Sequence, residues 1–140
     1  MARKKEQALQ VHLTSDSLFD NYLAEEGKIK IIDVFQNWTG QCKSILASMK
    51  KMKVEMQDPR LSFATGCCDD LTALEVFRGS SPEPIFLIFY NNILVDFVRG
   101  CNINLMQSKV KTICGASLDK EYRVVLKLGG YSKNYIYLKS

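Results

Sequence analysis

Apolar and β-branched residues cluster at five places along the chain, and these runs predict β-strands. The predicted strands cover Ala8–Leu13, Lys28–Phe35, Leu61–Thr65, Ile85–Tyr90 and Ile93–Arg99. The second of them is apolar enough to be buried on both faces of a sheet, and Asp33 is the residue that breaks its apolarity. We therefore expect a sheet whose central strand carries one acidic side chain.

Between these runs, apolar residues recur at spacings of three and four, which predicts four amphipathic helices. Met49, Met52 and Met56 repeat on one face of the second helix, and core packing is favoured for them over an adaptable binding surface. The predicted helices run from the capping residues Thr14–Asp16 to Gly27, from about Gln41 to Gln57, from Asp69 or Asp70 to Gly79, and across Leu105–Cys114.

The resulting order is β-α-β-α-β-α-β-β-α, and alternating β and α units imply parallel strands. Asn91-Asn92 reads as a two-residue hairpin turn, because asparagine tolerates the positive φ angles that such turns need. The hairpin adds an antiparallel pair at one side of the sheet. The predicted fold class is α/β, with a central mixed sheet and helices on both faces.

The pattern divides the chain into a basic N-terminal tip (1–7), the α/β domain (8–116) and a C-terminal extension (117–140). In the extension, apolar and polar residues alternate on both sides of Gly129-Gly130, which predicts two short strands. An isolated hairpin is marginally stable in water. The extension is therefore either a hairpin against the domain or a strand that pairs with another chain.

Composition favours one globular domain: the chain has 140 residues, of which 46% are hydrophobic and 24% are charged. The net charge of +4 is mild and no nucleic-acid-reading motif accompanies it, so nucleic-acid binding is not expected. No apolar run is long enough to span a membrane. The N-terminus does not resemble a secretory signal, and a cytoplasmic location is the default expectation.

The cysteines give no sign of a disulfide framework or a metal site. There are five of them, irregularly spaced, without a C-x-x-C pair, and His12 is the single histidine. Cys67 and Cys68 are adjacent, which is too constrained for an ordinary disulfide. Free, partly buried thiols are the favoured interpretation, and neither a metal nor a cofactor is expected.

One short segment joins the second predicted strand to the second predicted helix: Trp38-Thr39-Gly40-Gln41-Cys42. It resembles the redox loop of the thioredoxin family, Trp-Cys-Gly-Pro-Cys. Thr39 stands where the attacking cysteine of that family lies, and Gln41 stands at the proline position. Cys42 corresponds to the second, resolving cysteine.

The residues around this segment extend the resemblance. Asp33 lies six residues before Thr39, the offset at which thioredoxins keep a buried acid beneath the redox site. Glu83-Pro84-Ile85 matches the position of the family's cis-proline. Gly100 also lies where the family's sequence pattern continues after the hairpin. The resemblance covers roughly Ala8 to Cys114 and implies the thioredoxin fold.

Within the family, three stretches and the chain opening, Lys4-Lys5 and Ala8–Val11, resemble the thioredoxin domains fused to nucleoside diphosphate kinase modules. Those domains are in turn similar to the thioredoxin-like light chains of outer-arm axonemal dynein. These stretches are Ile31–Trp38, Glu83–Leu87 and Val98–Asn102. No kinase module follows the domain in this sequence, so nucleotide chemistry is not expected.

Thiol–disulfide exchange needs an attacking thiolate and a second thiol that resolves the mixed disulfide. A threonine hydroxyl is not ionised at neutral pH without a nearby base, so we expect the loop to lack this activity and the chain not to be an enzyme. For Cys42, three interpretations remain open: a small apolar residue packed on its helix, a monothiol that forms mixed disulfides, or a vestigial partner contact. Asp33 is then a hydrogen-bonded structural acid whose burial should raise its pKa.

The thioredoxin resemblance also implies a groove that receives extended polypeptide. Its residues here are Trp38, Gly40, Gln41, Pro84 and Gly100. The expected function is that of a redox-degenerate interaction subunit of the outer dynein arm, in the cytoplasm and the axoneme of cilia or flagella. Its expected partner is a dynein heavy or intermediate chain. The alternative is a monothiol oxidoreductase or redox sensor that uses Cys42.

Overall fold

The computed structural model describes residues 9–115, in which five strands form one sheet flanked by three α-helices. Its strands are β1 (Gln10–Leu13), β2 (Ile29–Phe35), β3 (Leu61–Cys67), β4 (Ile85–Tyr90) and β5 (Ile93–Arg99). Its helices are α1 (Asp16–Ala24), α2 (Leu46–Met56) and α3 (Ile103–Gly115), with short 3-10 helices at Lys43–Ile45 and Thr72–Phe77. The predicted tip (1–7), the two end residues of the predicted 8–116 domain and the extension (117–140) lie outside the described residues.

The sheet has the strand order β1-β3-β2-β4-β5 and is mixed, as predicted. β1, β3 and β2 are parallel, whereas β4 runs antiparallel to β2, and β5 is antiparallel to β4. The prediction that the strands joined by helical units are parallel is therefore wrong for β4. The segment 68–84 contains only the short 3-10 helix Thr72–Phe77, and it begins and ends at the same end of the sheet: Phe35 pairs with Cys67, and Val34 pairs with Ile85. The chain therefore enters β4 at the end where β3 stops.

Two apolar clusters cover the two faces of the sheet, because successive strand side chains point to opposite faces. α1 and the Thr72–Phe77 helix pack on one face, against Ile32, Val34 and Leu87 among others. α2 and α3 pack on the other face. Met49 and Met52 of α2 are fully buried there, so their predicted role in the core is confirmed.

The ends of the helices differ from the prediction in ways that matter for the site. The second helix begins later than Gln41, because Gly40 has a left-handed φ of 69° and Cys42 is extended. The third predicted helix is the 3-10 helix Thr72–Phe77, which starts after Asp69 and Asp70. Ser15 caps α1 as predicted, with its hydroxyl accepting the N–H of Leu18 at 3.2 Å.

β2 contains a second buried charge besides Asp33, which the sequence pattern did not single out. Lys30 is fully buried, and its ammonium group donates to the backbone carbonyls of Leu23 (2.7 Å), Glu25 and Asn91 (2.8 Å). Burial lowers the pKa of Lys30 to about 8. The lysine thus ties the end of α1 to the β4–β5 turn, where Asn91 has the predicted positive φ, 55°.

Among residues 9–115, no helix is both long enough and apolar enough to cross a membrane.

We expect Lys30→Met to destabilise the protein. The substitution keeps the length of the side chain but removes the ammonium group. The backbone carbonyls of Leu23, Glu25 and Asn91 then each lose a hydrogen-bond donor. A buried polar group that loses its partner costs about 1–3 kcal/mol in free energy of unfolding. Urea denaturation at pH 7 measures the difference.

The matched control is Lys28→Met, two residues earlier, where the side chain is 46% exposed and pairs with Glu25 at the surface. Its effect should stay within about 0.5 kcal/mol. Equal stability of Lys30→Met and the unmodified protein would show that the three carbonyl contacts do not outweigh the cost of burying the charge.

Candidate functional site

Four chain segments meet at one edge of the sheet because of the strand register. Phe35 at the end of β2 lies beside Cys67 at the end of β3, and Val34 pairs with Ile85 at the start of β4. Ile85 in turn pairs with Arg99 at the end of β5. Four segments therefore converge: those that follow β2, β3 and β5, and the one that precedes β4. Every predicted site residue except Asp33 lies in these four segments.

Thr39 has a structural role in the loop. Its hydroxyl lies 3.0 Å from the carbonyl oxygen of Gln36 and accepts the Gln36 N–H at 3.3 Å. The carbonyl of Gly40, at 3.2 Å, is a second acceptor. Within residues 9–115, the contacts of this hydroxyl are to backbone groups, so it fixes the turn, and no base from this part of the chain hydrogen-bonds to it.

Asp33 lies beneath the loop and holds Cys42. One carboxylate oxygen accepts the backbone N–H of Cys42 at 3.2 Å, while the other is buried and has no hydrogen-bond partner within residues 9–115. Burial raises the pKa of Asp33 to about 6, and the Cys42 N–H partly offsets that rise. The raised pKa agrees with what the sequence led us to expect of this acid.

Cys42 has another thiol beside it, from a distant part of the chain. Its Sγ lies 3.1 Å from Sγ of Cys101, and the Ser44 hydroxyl contacts the two sulfurs at 3.4 and 3.1 Å. Cys101 is exposed and Cys42 is partly exposed. Burial raises the pKa of the Cys42 thiol, with Cys101 and Asp33 adding to the rise and Ser44 opposing it.

Trp38 projects from the loop into solvent, with 59% of its surface exposed. It borders an open cavity of about 630 Å³ whose other walls are Gln36, Asp69, Glu75, Arg78 and Gly79. Gln36 is buried and connects the loop to the segment before β4: its side chain donates to Ser81 O at 3.2 Å and accepts Gly79 N–H at 2.9 Å. The loop that carries Trp38 is therefore held against that segment.

Pro84 and Gly100 are in direct contact, since the Gly100 N–H donates to the Pro84 carbonyl at 2.7 Å. Gly100 has a left-handed φ of 74°, which favours glycine. All peptide bonds in the described residues are trans, so the cis-proline implied by the resemblance is not present at Pro84. The trans form is the lower-energy isomer of an X–Pro bond, by about 0.5–1 kcal/mol.

The structure thus brings the predicted groove residues to one edge, with Gly40 and Gln41 exposed beside Trp38. Sequence reasoning missed Cys101, Ser44 and the linking role of Gln36. The sequence held no local signal for Cys101, because its position near the loop depends on the pairing of β5 with β4 and of β4 with β2. Within residues 9–115, no group of three or more His, Cys, Asp or Glu side chains is arranged to hold a metal ion.

We expect Asp33→Asn to stabilise the protein above pH 6. The folded-state pKa of Asp33 is about 6 and its ordinary value is 3.8, so the unfolded chain loses this proton first as pH rises. The contribution of Asp33 to the free energy of unfolding is therefore most favourable below pH 4 and falls by about 2–3 kcal/mol in total as pH rises through 6. The neutral amide removes that loss, and urea denaturation between pH 4 and 8 measures it.

Asp70→Asn serves as the control, because Asp70 is an exposed carboxylate at the same edge of the sheet. Its pH profile should match that of the unmodified protein. A profile for Asp33→Asn that still falls between pH 4 and 6 as steeply as the unmodified one would contradict the assignment.

Comparison with known proteins agrees with this geometry. The family model described as Thioredoxin matches residues 10–112. Thioredoxin domain-containing protein 6 from Homo sapiens is 38% identical over 109 residues, which cover 78% of this chain and 32% of that protein. The thioredoxin domain-containing protein 3 homolog from Ciona intestinalis is 34% identical over 125 residues, covering 89% of this chain and 18% of that protein. The chain thus spans about a third or less of the length of these relatives.

Solved structures agree on the fold. Thioredoxin from Trypanosoma brucei brucei superposes with a TM-score of 0.59 at 23% identity, covering 80% of this chain and 97% of that one. Plasmodium falciparum thioredoxin superposes with a TM-score of 0.57 at 22% identity, covering 73% of this chain and 97% of that one. These likenesses establish the thioredoxin fold predicted from the sequence. The chain belongs to the thioredoxin family.

Proposed function

We propose that this chain is a protein-binding subunit of the axonemal outer dynein arm, in which the loop has lost its own redox chemistry. It would bind a dynein heavy or intermediate chain in cilia or flagella. The observation that carries the binding proposal is the contrast between Thr39 and Trp38. The residue at the nucleophile position is engaged with the backbone of its own turn, while the neighbouring tryptophan is 59% exposed.

The surface around Trp38 suits an extended segment of a partner. Gln36 holds the loop against the segment 79–84, and Gly100 holds Pro84 from the other side. These hydrogen bonds fix the receiving surface before a partner arrives, which lowers the entropy lost on binding. A large exposed aromatic side chain at the centre of such a surface is typical of a binding hot spot.

The edge of this surface also carries charge. Asp69 and Arg78 form an ion pair at 3.2 Å on the wall of the Trp38 cavity, and Asp69 accepts the N–H of Asn37 at 2.8 Å. A partner would therefore place an apolar side chain against Trp38 and polar groups against this wall.

The assignment to the outer dynein arm rests on the sequence stretches that resemble kinase-fused thioredoxin domains, which are in turn similar to the thioredoxin-like dynein light chains. One of these stretches, Ile31–Trp38, leads directly into the exposed loop, and another, Val98–Asn102, contains Gly100 and Cys101. These two stretches thus include residues at the edge of the sheet where a partner would bind.

The monothiol alternative has less support. A thiol reacts as its thiolate, and burial raises the pKa of Cys42, which lowers the thiolate fraction at neutral pH. Cys42 precedes the 3-10 helix Lys43–Ile45, which leads directly into α2, and the proximity of this helix start does not offset the effect of burial on its pKa. Alkylation across pH tests this: the alternative requires native Cys42 to react faster than it does in denatured protein.

We expect Trp38→Ala to weaken binding to the dynein partner at least about tenfold, or about 1.4 kcal/mol. The measurement is retention of salt-extracted outer-arm proteins on the immobilised chain, with the dynein heavy and intermediate chains identified by mass spectrometry. The full chain should also sediment with isolated outer arms and be released by high salt.

The matched control is Val54→Ala on α2, which truncates a side chain that is 71% exposed but lies outside the groove. It should bind as the unmodified protein does. Equal retention of dynein chains by Trp38→Ala would contradict the role of the groove, and absence of the protein from axonemes would contradict the assignment to the outer arm.

A further inference from the structure

Cys42 and Cys101 are 59 residues apart in sequence, yet their sulfur atoms are 3.1 Å apart. A disulfide bond has an S–S length of about 2.05 Å, so the sulfurs need to approach by only about 1 Å. Each cysteine lies outside the strands and the α-helices, directly after a turn that contains a left-handed glycine, Gly40 or Gly100. The approach can therefore be made by the loops alone.

We propose that Cys42 and Cys101 form a dithiol–disulfide redox pair, in which Cys101 attacks a substrate disulfide and Cys42 resolves the mixed disulfide. The substrate class is an accessible disulfide, of which glutathione disulfide is the simplest member. This activity goes beyond the proposed binding function and does not rest on it. The attacking thiol is that of Cys101, which follows β5. The loop itself has Thr39 at the position of the attacking cysteine.

The two roles follow from the environments of the two thiols. Cys101 is exposed, so a substrate sulfur can reach it. The Ser44 hydroxyl, 3.1 Å away, can donate to its sulfur when that sulfur is ionised. Cys42 is less accessible, and its raised pKa keeps it as a thiol until the mixed disulfide lies beside it. An exposed attacking thiol and a more buried resolving thiol are what two-step exchange requires.

The reaction balances in two steps. The Cys101 thiol loses its proton to solvent, and its sulfur bonds to one sulfur of glutathione disulfide. The first glutathione leaves as a thiolate and takes up a proton. The Cys42 thiol then loses its proton to solvent and its sulfur bonds to Sγ of Cys101, which expels the second glutathione as a thiolate that takes up a proton. Two protein thiols are oxidised by two electrons, and one glutathione disulfide becomes two glutathione molecules.

The other thiols of the described residues do not offer such a pair. Cys67 is buried and donates to the Asn37 side chain at 3.2 Å. Burial raises the pKa of Cys68 to about 12 and that of Cys114 to about 11. These three thiols therefore react slowly, and a disulfide between Cys42 and Cys101 can be recognised against them.

The test is to treat the reduced full chain with glutathione disulfide, quench with acid, alkylate and digest with trypsin without reduction. Trypsin places the relevant cysteines on separate peptides: Cys42 on 31–43, Cys101 on 100–109, Cys67 and Cys68 together on 61–78, and Cys114 on 112–120. We expect the 31–43 and 100–109 peptides to be linked, with two glutathione molecules released per chain.

Single substitutions separate the two roles. Cys42→Ser should stop at a mixed disulfide between Cys101 and glutathione, with one glutathione released. Cys101→Ser should form no cross-link and lower the initial rate of glutathione release at least about tenfold. The control Cys114→Ser removes another partly exposed thiol and should behave as the unmodified chain does. Circular dichroism verifies that each variant is folded.

Two results would overturn the proposal. One is a peptide map of the unmodified chain without the linked 31–43 and 100–109 peptides. The other is a Cys101→Ser variant that consumes glutathione disulfide as fast as the unmodified chain. Either can occur while Trp38 still binds its partner, so failure here is distinguishable from failure of the proposed binding function.

Discussion

The pairing of β2 with two neighbours of opposite direction is the constraint on which the rest of the structure depends. β3 runs parallel to β2 and ends beside it, whereas β4 is antiparallel and starts at that same end. The β4–β5 hairpin then returns the chain to this edge at Arg99. Because of this register, segments far apart in sequence become neighbours, and the groove and the pair of thiols both arise from it.

β2 also carries a buried charged residue toward each of its ends. Lys30 points to the face packed by α1 and holds three backbone carbonyls at the end of the domain opposite the loop. Asp33 lies on the other face and holds the N–H of Cys42 at the loop end. The first charge stabilises the scaffold, whereas the second determines where the loop lies and where Cys42 faces Cys101.

Much of the fold could be predicted from periodicity and turn chemistry. The five strands, the Ser15 cap and the positive φ of Asn91 follow from local residue preferences. The direction of β4 could not be predicted, because the segment 68–84 between β3 and β4 is long enough to reach either end of the sheet. Lys30 was also missed, since a lysine near the start of a strand gives no sequence signal of the three carbonyls it contacts.

Only those parts of the candidate site whose residues are close together in sequence could be predicted. The Trp38–Cys42 segment and Asp33 could be identified by spacing, and the structure places Asp33 against Cys42. Cys101 could not be identified in this way, because its contact with Cys42 depends on two successive strand pairings. Local reasoning therefore described the loss of the attacking cysteine at Thr39 but not the thiol that lies beside Cys42.

The central claim is that the loop itself no longer carries an attacking nucleophile, and the reduction of insulin disulfides by the Cys101→Ser variant tests it most directly. This variant keeps the whole Trp38–Cys42 segment and removes the second thiol. With dithiothreitol as reductant, the rate should equal that of dithiothreitol alone. Turnover clearly above that background would contradict the account, because it would show that the loop still performs disulfide exchange with Thr39 in place of cysteine.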